Sequence, residues 1–402
     1  MQRTNIIELK PSRKQKAILK ELCLLSSCVY NIANYHTRQQ FFKREKTSNF
    51  HQLQQNIQKE PDYQLLGRSY ALPRLQIYAE TNSARFKLIK SKKQSRVGLP
   101  KYLKNRKTNT TLPSYLAMDN CQYSIGKHKA TIPLSRQMRK KHSIKQFKID
   151  FNGILKWKGK QQRGQIHFKN GKFYLHQAME IQEPKQKQSK CSAGIDLGIK
   201  KLFAIKISNG QEKLIGSKRH FKQWQFWTDA IAKEQESLAK TGKKSSNSLC
   251  RLFSKRTKWQ NNLYNNLISK AFKFLNRNSV SKIAIGDFKG IREDANLGNA
   301  GNKMLHNYWA FDSLHKKIAN KAEEFGIELS KETEEYTSRT CPICQDDSKS
   351  NCKDRIFLCS FCGYIGHRDL VGAENILKKS LCGSSESTHW KESLPFGKVS
   401  NG

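Results

Sequence analysis

The chain has 402 residues, of which 75 are lysine or arginine and 32 are aspartate or glutamate, giving a formal net charge of +43. This length allows two or three domains, each with a hydrophobic core. So large a positive charge repels itself in a compact fold and therefore indicates a polyanionic partner. An anionic membrane surface is disfavoured, because the sequence has no long apolar run and no amphipathic anchor. Composition therefore favours a nucleic-acid-binding protein with no membrane partner.

The N-terminal region is predicted to be a short strand followed by helices. Residues 4–9 predict the strand, and Pro11 opens a helical pattern that places Ile18 and Leu22 on one face. Helical patterns continue to about residue 90. Most of the apolar positions in this region are predicted to be core.

Two basic groups follow, and both are predicted to contact nucleic acid. A solvated surface is the alternative, but a chain of this charge favours phosphate contact. The first group consists of Lys87, Lys90, Lys92, Lys93, Arg96, Lys101, Lys104, Arg106 and Lys107. The second group consists of Arg136, Arg139, Lys140 and Lys141.

The segment 108–182 is predicted to be rich in strands and turns. Its clearest signal is Asn170-Gly171, because both central positions of a type I′ hairpin turn need a positive φ. The polar run 184–190 then indicates a linker between domains.

The second half of the chain alternates apolar strands with helices. This order predicts a mixed sheet with helices on its faces. We expect strands in 193–207, 282–288 and 326–334, and helices at about 217–240, 249–277, 309–325 and 369–379.

Four cysteines near the C-terminus have the spacing of a metal site, C-x2-C-x14-C-x2-C. Two such pairs can place four thiolates at the corners of one tetrahedron, as Zn²⁺ requires, whereas four free buried cysteines are the alternative. The predicted ligands are Cys341, Cys344, Cys359 and Cys362. The other cysteines show no disulfide framework and the N-terminus has no apolar leader, so we expect a cytoplasmic protein, in the bacterial cytosol or, in a eukaryotic host, the nucleus.

Two acidic residues are candidates for a catalytic metal site. Asp196 lies in an otherwise apolar strand, where a carboxylate is costly unless it is paired or binds a metal. Asp369 follows the cysteines at the start of a predicted helix, where an N-cap role is the alternative. Two-metal phosphodiester cleavage needs carboxylates from several elements to converge on two Mg²⁺ ions.

These motifs, in this order, resemble those of TnpB, the OrfB-type protein of bacterial insertion sequences, which belongs with the type V CRISPR effectors and the eukaryotic Fanzor proteins. The similarity extends over nearly the whole chain. The motifs that carry it are Pro11…Gln15…Val29-Tyr-Asn31, Gly194-Ile-Asp-Leu-Gly198, Tyr336-Thr-Ser-Arg-Thr-Cys341 with the four cysteines, and Asp369…Ala373-Glu-Asn-Ile376.

The resemblance implies a multidomain α+β fold. Its N-terminal half would be a β-barrel-like wedge domain with a helical recognition insertion, and its C-terminal half a RuvC-type, RNase H-like α/β nuclease domain with an inserted zinc ribbon. The expected boundaries are 1–12 and 96–186 for the wedge, 13–95 for the insertion, 190–335 and 366–381 for the nuclease, 336–365 for the ribbon and 382–402 for a flexible tail.

The resemblance also implies the activity: an RNA-guided DNA endonuclease of a transposable element. Such proteins bind a non-coding guide RNA from the end of the element and cut double-stranded target DNA beside a short flanking motif. The implied cofactors are a structural Zn²⁺, two catalytic Mg²⁺ ions and the guide RNA. We expect a monomer or a weak dimer. Direct strand transfer as a transposase is disfavoured, because no tyrosine or serine stands out as a nucleophile.

The chain departs from the family pattern at one catalytic position. The family usually has Glu where this chain has Gly286, and the adjacent Asp287 should face away, since strand side chains alternate. Some relatives have a relocated Glu shortly before the ribbon, and Glu334 fills that place. The predicted catalytic and Mg²⁺-binding set is therefore Asp196, Glu334 and Asp369. The alternative is a nuclease-inactive, RNA-guided DNA-binding repressor.

Overall fold

The computed structural model describes residues 1–90, 97–105, 107–198, 201–287, 311–333, 337, 339–347, 350–353 and 355–382. The chain divides into two compact units, Met1–Gln182 and Glu183–Gly402. The predicted strand at 4–9 and the helix after Pro11 are confirmed in the first unit, as is the mixed α/β order in the second. The finer domain boundaries expected from the resemblance stay a prediction.

The first unit contains a seven-stranded antiparallel sheet in the order β2-β6-β7-β1-β5-β4-β3. Its long central hairpin turns at Asn170 and Gly171, whose φ angles of 52° and 79° confirm the predicted positive-φ pair. The strands are β1 (Gln2–Lys10), β2 (Leu116–Met118), β3 (Ser124–Ile125), β4 (Lys129–Thr131), β5 (Lys148–Asn152), β6 (Lys160–Lys169) and β7 (Lys172–Glu180).

Helices cover the apolar face of this sheet. The first begins with a capping box, in which the Ser12 hydroxyl accepts a bond from the Gln15 backbone N–H and the Gln15 side chain accepts one from the Ser12 N–H. Buried residues such as Leu19 and Tyr70 share one core with strand residues such as Ile7. The helices are α1 (Arg13–Phe42), α2 (Phe50–Ile57), α3 (Pro61–Leu66), α4 (Arg68–Lys90) and α5 (Arg136–His142).

The second unit contains a five-stranded mixed sheet in the order β10-β9-β8-β11-β12. The strands β8, β11 and β12 are parallel to one another, whereas β9 and β10 run antiparallel at one side. They are β8 (Ser192–Asp196), β9 (Phe203–Ile207), β10 (Glu212–Ile215), β11 (Lys282–Asp287) and β12 (Glu328–Thr333). This arrangement matches the predicted mixed sheet.

Helices pack on both faces of the five-stranded sheet. On one face, Ile195 and Ile283 form a core with Phe272 and Leu314. On the other face, a Cβ at Gly194 would stand only 2.0 Å from the carbonyl oxygen of Ala373, so the glycine allows the last helix to dock closely. The helices are α6 (Lys218–Lys240), α7 (Asn247–Arg277), α8 (Phe311–Phe325) and α9 (Arg368–Leu381).

A small three-stranded sheet precedes α9 and contains half of the cysteine motif. Its antiparallel strands are β13 (Ser350–Lys353), β14 (Ile356–Cys359) and β15 (Ile365–His367), in that spatial order. The last of these leads directly into α9, so the cysteine module and the helix that carries Asp369 are joined without a linker. Among the described residues, no helix has the length and apolarity needed to cross a bilayer.

Candidate functional site

The four predicted cysteine ligands lie together, with their sulfur atoms all within 4.8 Å of one another. The Sγ atoms of Cys341 and Cys362 are 3.6 Å apart, and those of Cys344 and Cys359 are also 3.6 Å apart. A tetrahedral ion with metal–sulfur distances of about 2.3 Å has sulfur–sulfur edges of about 3.8 Å. The cluster therefore fits a tetrahedral Zn²⁺ ion.

Tight turns bring each pair of cysteines together. In the second turn, the Gly363 N–H donates to the carbonyl of Cys359 at 3.0 Å, and Gly363 has a φ of 74°, which glycine adopts without strain. Backbone N–H groups of Cys362 and Phe361 point at the Cys359 thiol and lower its pKa to about 7. The turn thus favours the thiolate, which is the form that binds metal.

Asp369 lies in the first turn of α9, where only 8% of its surface is exposed. The N-cap of this helix is His367, whose ring Nδ1 lies 3.3 Å from the Asp369 backbone nitrogen. The alternative interpretation of Asp369 as an N-cap is therefore wrong. Its carboxylate is left to face the sheet and the cysteine module.

Asp196 and Asp369 come together at the end of β8. A Cβ on Gly372, one turn after Asp369, would stand 2.9 Å from Oδ2 of Asp196. Burial raises the pKa of Asp196 to about 7, and the negative charge of Asp369 is the second cause, partly offset by Arg368 and Arg355. A buried carboxylate beside a second negative charge is suited to bind a divalent cation.

Arg355 joins the cysteine module to this pair of carboxylates. Its Nη1 donates to Oδ1 and Oδ2 of Asp369 at 2.5 and 2.7 Å, and its carbonyl accepts a bond from the Arg368 N–H at 2.9 Å. Sequence reasoning missed Arg355, because nothing in a loop between two short strands marks one arginine among many. Only the fold reveals the contact.

At the position where the family usually has a catalytic Glu, this chain has a glycine and therefore no side chain. Gly286 is buried in β11 and pairs in register with Glu332 of β12, and the pairing continues regularly to Asp287 and Thr333. Glu334, the predicted third carboxylate, lies outside the described residues. Nothing in the sequence distinguishes Glu332 from the acidic residues near it, but only 8% of its surface is exposed.

Eight of the predicted nucleic-acid-binding residues are exposed on the first unit. Lys92, Lys93, Arg96 and Arg106 fall outside the described residues, and Lys90 is the last residue of α4. The exposed members are Lys87, Lys101, Lys104, Lys107, Arg136, Arg139, Lys140 and Lys141. Lys141 also pairs with Glu21 at 2.6 Å. These positions allow phosphate contact, which stays a prediction.

Two family models and several known proteins match this chain. A family model described as a probable transposase matches residues 176–292, and a Cas12f1-like TNB domain model matches residues 311–376. A TnpB-like protein, ORF457 of Acidianus two-tailed virus, is 28% identical over 94% of this chain and 87% of its own length. The CRISPR-associated endodeoxyribonuclease Cas12f1 of Sulfoacidibacillus thermotolerans is 39% identical, over 20% of this chain and 19% of its own length.

The fold is similar to that of a solved Cas12f1 chain. The Cas12f1 chain of a complex with sgRNA and target DNA superimposes with a TM-score of 0.56 at 16% sequence identity, covering 91% of this chain and 83% of that one. At this identity the likeness concerns the fold alone.

Proposed function

Because the chain is a TnpB-type protein related to type V effectors, we propose that it is an RNA-guided DNA endonuclease of a transposable element. In this proposal it binds a non-coding guide RNA and cuts double-stranded DNA that matches the guide, beside a short flanking motif. Residues 190–335 and 366–381 form a RuvC-type nuclease domain, and the four-cysteine module is its zinc ribbon. The activities for which the relatives are named motivate the proposal.

The observation that supports cleavage most directly is the meeting of Asp196 and Asp369. One carboxylate ends a central strand and the other begins a helix, and Gly372 lets the helix approach the strand carboxylate. Hard oxygen ligands from separate elements are what Mg²⁺ prefers. When bound, a pair of Mg²⁺ ions supplies an activated water and stabilises the leaving oxygen.

The protein's own residues would position this chemistry. Asp196 and Asp369 would hold the ions, and the mixed sheet fixes Asp196 because its strand is paired on both sides. Arg355 now holds both oxygens of Asp369, so ions that bind there must share or replace that contact. The zinc ribbon would therefore contribute to the nuclease site through one side chain.

The net charge supports the nucleic-acid partners. A formal charge of +43 suits a protein that holds both an RNA and a DNA duplex, since DNA alone carries one negative charge per about 1.7 Å of its axis. The exposed lysines and arginines named above would contact phosphates rather than bases. Sequence would then be read by pairing with the guide, as in other RNA-guided nucleases.

The second candidate function is an RNA-guided DNA-binding repressor without nuclease activity. Gly286 favours it, because glycine supplies no carboxylate at the position where the family usually has Glu. The burial and close approach of Asp196 and Asp369 favour cleavage instead.

The experiment is a cleavage assay on the protein purified with its own RNA. The RNA is sequenced, and plasmids carrying a match to its end next to a randomised flank are incubated with the complex and Mg²⁺. We expect cleavage beside a subset of flanks, lost in Asp196→Asn and Asp369→Asn. Guide-dependent binding without cleavage would establish the repressor, and binding of no RNA would overturn both functions.

A further inference from the structure

We propose that the open face of the seven-stranded sheet binds unpaired bases of the guide RNA, which stack on Tyr174 and His176. This inference rests on the proposed function, and it uses none of the basic residues predicted above. It is carried by the alternation of the central strands, by a row of stacked rings, and by polar atoms on this face that have no partner.

The central strands turn one face toward the helices and leave the other open. Ile7 of β1 and Leu175 of β7 lie in the core that the helices cover. Side chains alternate along a strand, so Tyr174 and His176, on either side of Leu175, belong to the opposite face. Ile6, the neighbour of Ile7, is 56% exposed, although β1 is the middle strand of the sheet. The face is therefore open at its centre.

Strand pairing gathers five side chains of this face into one patch. His176 pairs with Ile6 of β1 on one side and with Gln165 of β6 on the other. Two residues further along the same strands, Tyr174 pairs with His167. Directly opposite residues of antiparallel strands share a face. We call these five residues, three of which carry rings, the aromatic patch.

The rings of the aromatic patch continue a stack that begins at the helices. The guanidinium of Arg74 on α4 lies 4.5 Å from the centroid of the Tyr115 ring. Tyr115 and His167 are stacked at 5.2 Å with 22° between their planes, and the His167 and His176 centroids are 4.6 Å apart. Of the described residues, no further aromatic ring meets His176. The stack ends there, and a base can extend it because every base has a π face.

Two members of the aromatic patch have polar atoms available for a ligand. Within the described part of the chain, the Tyr174 hydroxyl and the ring nitrogens of His176 make no hydrogen bond, whereas His167 is bonded to the Gln165 side chain at 3.0 Å. Burial lowers the pKa of His176, so its neutral ring offers one donor and one acceptor. A flat surface with such polar atoms matches a nucleobase, which has a π face and a polar edge.

Lysines at the hairpin end of the same strands supply charge for the RNA backbone. Lys169 and Lys172 are exposed and pair with each other across the turn. They lie two residues from His167 and Tyr174, so alternation places them on the same face, about 6.6 Å along the strands. Lys172 also pairs with Glu8 at 2.9 Å. A base on the aromatic patch can therefore have its phosphate near a lysine.

RNA is the occupant that this chemistry favours. A folded RNA exposes unpaired bases in loops and bulges, and proteins bind these by stacking them on aromatic side chains, including histidine, often on an antiparallel sheet. The double-stranded target presents only the edges of its bases, in the grooves. The guide RNA is therefore the source of the bases that we assign to this face.

The test uses the full chain, stripped of nucleic acid by high salt, and the RNA that co-purifies with it, sequenced and transcribed with 4-thiouridine in place of uridine. Irradiation crosslinks this RNA to the side chains that it contacts, and mass spectrometry identifies the crosslinked peptides. RNA affinity is measured at several salt concentrations for Tyr174→Ala, His176→Ala, Tyr174→Phe, His176→Phe and Lys169→Gln. Tyr35→Ala is the control, since Tyr35 is a tyrosine of α1 that is 53% exposed. Circular dichroism checks the fold of each variant.

We expect crosslinks at residues 174–176 and at least about 5-fold weaker RNA binding in the two alanine variants, the smallest loss that base–aromatic stacking implies. The phenylalanine variants keep a ring and should bind as the natural protein does. The alanine variants should keep the salt dependence, whereas Lys169→Gln should lower the slope of log affinity against log salt by about 0.7, the value for one phosphate of a single strand. Tyr35→Ala should change neither quantity.

Three results would overturn the inference. They are natural RNA affinity in the folded alanine variants, equal losses in the alanine and phenylalanine variants, and crosslinks that map only to other segments. Target DNA containing 4-thiothymidine is irradiated in parallel, and crosslinks at 174–176 from DNA but not from RNA would exclude RNA as the occupant. If an alanine variant does not fold, the crosslinks of the natural protein decide the question.

The same experiments separate this inference from the proposed function. If the natural complex cuts DNA that matches its guide while the alanine variants bind RNA normally, only the assignment of the aromatic patch fails. If no RNA co-purifies with the natural protein, the proposed function and the inference fail together.

Discussion

Gly372 of α9 lies against the carboxylate of Asp196, so closely that a Cβ there would stand 2.9 Å from Oδ2. Glycine within a helix costs about 1 kcal/mol relative to alanine. The close approach of helix and carboxylate explains why a residue without a side chain occupies this position.

We therefore predict that Gly372→Ala displaces Asp196 or α9 and lowers DNA cleavage by about 100-fold, the cost of a misplacement on the order of 1 Å. Helix propensity alone would make the variant more stable, so unchanged or lower stability would itself show the clash. Cleavage rate and thermal unfolding are measured together. Gly98→Ala is the control, because nothing lies within 4 Å of a Cβ at that position.

The contact between Arg355 and Asp369 leads to a prediction about ion affinity. The guanidinium neutralises a carboxylate that is 8% exposed, and it therefore competes with any cation for the same oxygens. Arg355→Ala should tighten Mn²⁺ binding by about 10-fold and lower the stability of the metal-free protein by about 1.5–3 kcal/mol. Titration with Mn²⁺ and unfolding in EDTA measure the two effects. Arg251→Ala, an exposed change on α7, should alter neither; weaker Mn²⁺ binding in Arg355→Ala would contradict the competition.

Removal of zinc should act on the nuclease site through the start of α9, where the Arg368 N–H donates to the Arg355 carbonyl at 2.9 Å. Structural zinc contributes about 10–16 kcal/mol of binding energy to small domains, so its loss should unfold the cysteine module and leave the first turn of α9, with Asp369, poorly positioned. We expect one zinc per chain in the natural protein, less in Cys344→Ser, and at least about 10-fold slower cleavage in that variant. Elemental analysis and the cleavage assay test this. Cys382→Ser is the matched control, since Cys382 is an exposed cysteine just beyond α9; zinc loss in both variants would argue against the cluster.

The elements of the second unit were predictable because each rests on local sequence. The apolar run around Asp196 and the amphipathic pattern of 249–277 specify their strand and helix without reference to the rest of the chain. The cysteine cluster was predictable for the same reason, since its two pairs each lie within one turn.

Contacts that depend on register and on distant segments were not predictable. Glu332 stands beside Gly286 because of the register in which β12 pairs with β11. Likewise, Arg355 differs from other arginines only because its loop is held against the start of α9. Neither relation leaves a pattern in a single sequence.

A histidine pair in the first unit should make its stability depend on pH. The rings of His167 and His176 are 4.6 Å apart, and burial, followed by the charges of His167 and Lys169, lowers the pKa of His176 to about 4. The folded protein thus keeps His176 neutral, whereas the unfolded chain takes up its proton near pH 6.5. This stability is complete above pH 6.5 and is lost as the pH falls toward 4.

Thermal unfolding between pH 7.5 and pH 4 tests this dependence. His176→Gln should flatten the decline, because the variant has no proton to take up on unfolding. His128→Gln is the control, since that histidine is exposed. An equal decline in His176→Gln and the natural protein would show that other groups cause it.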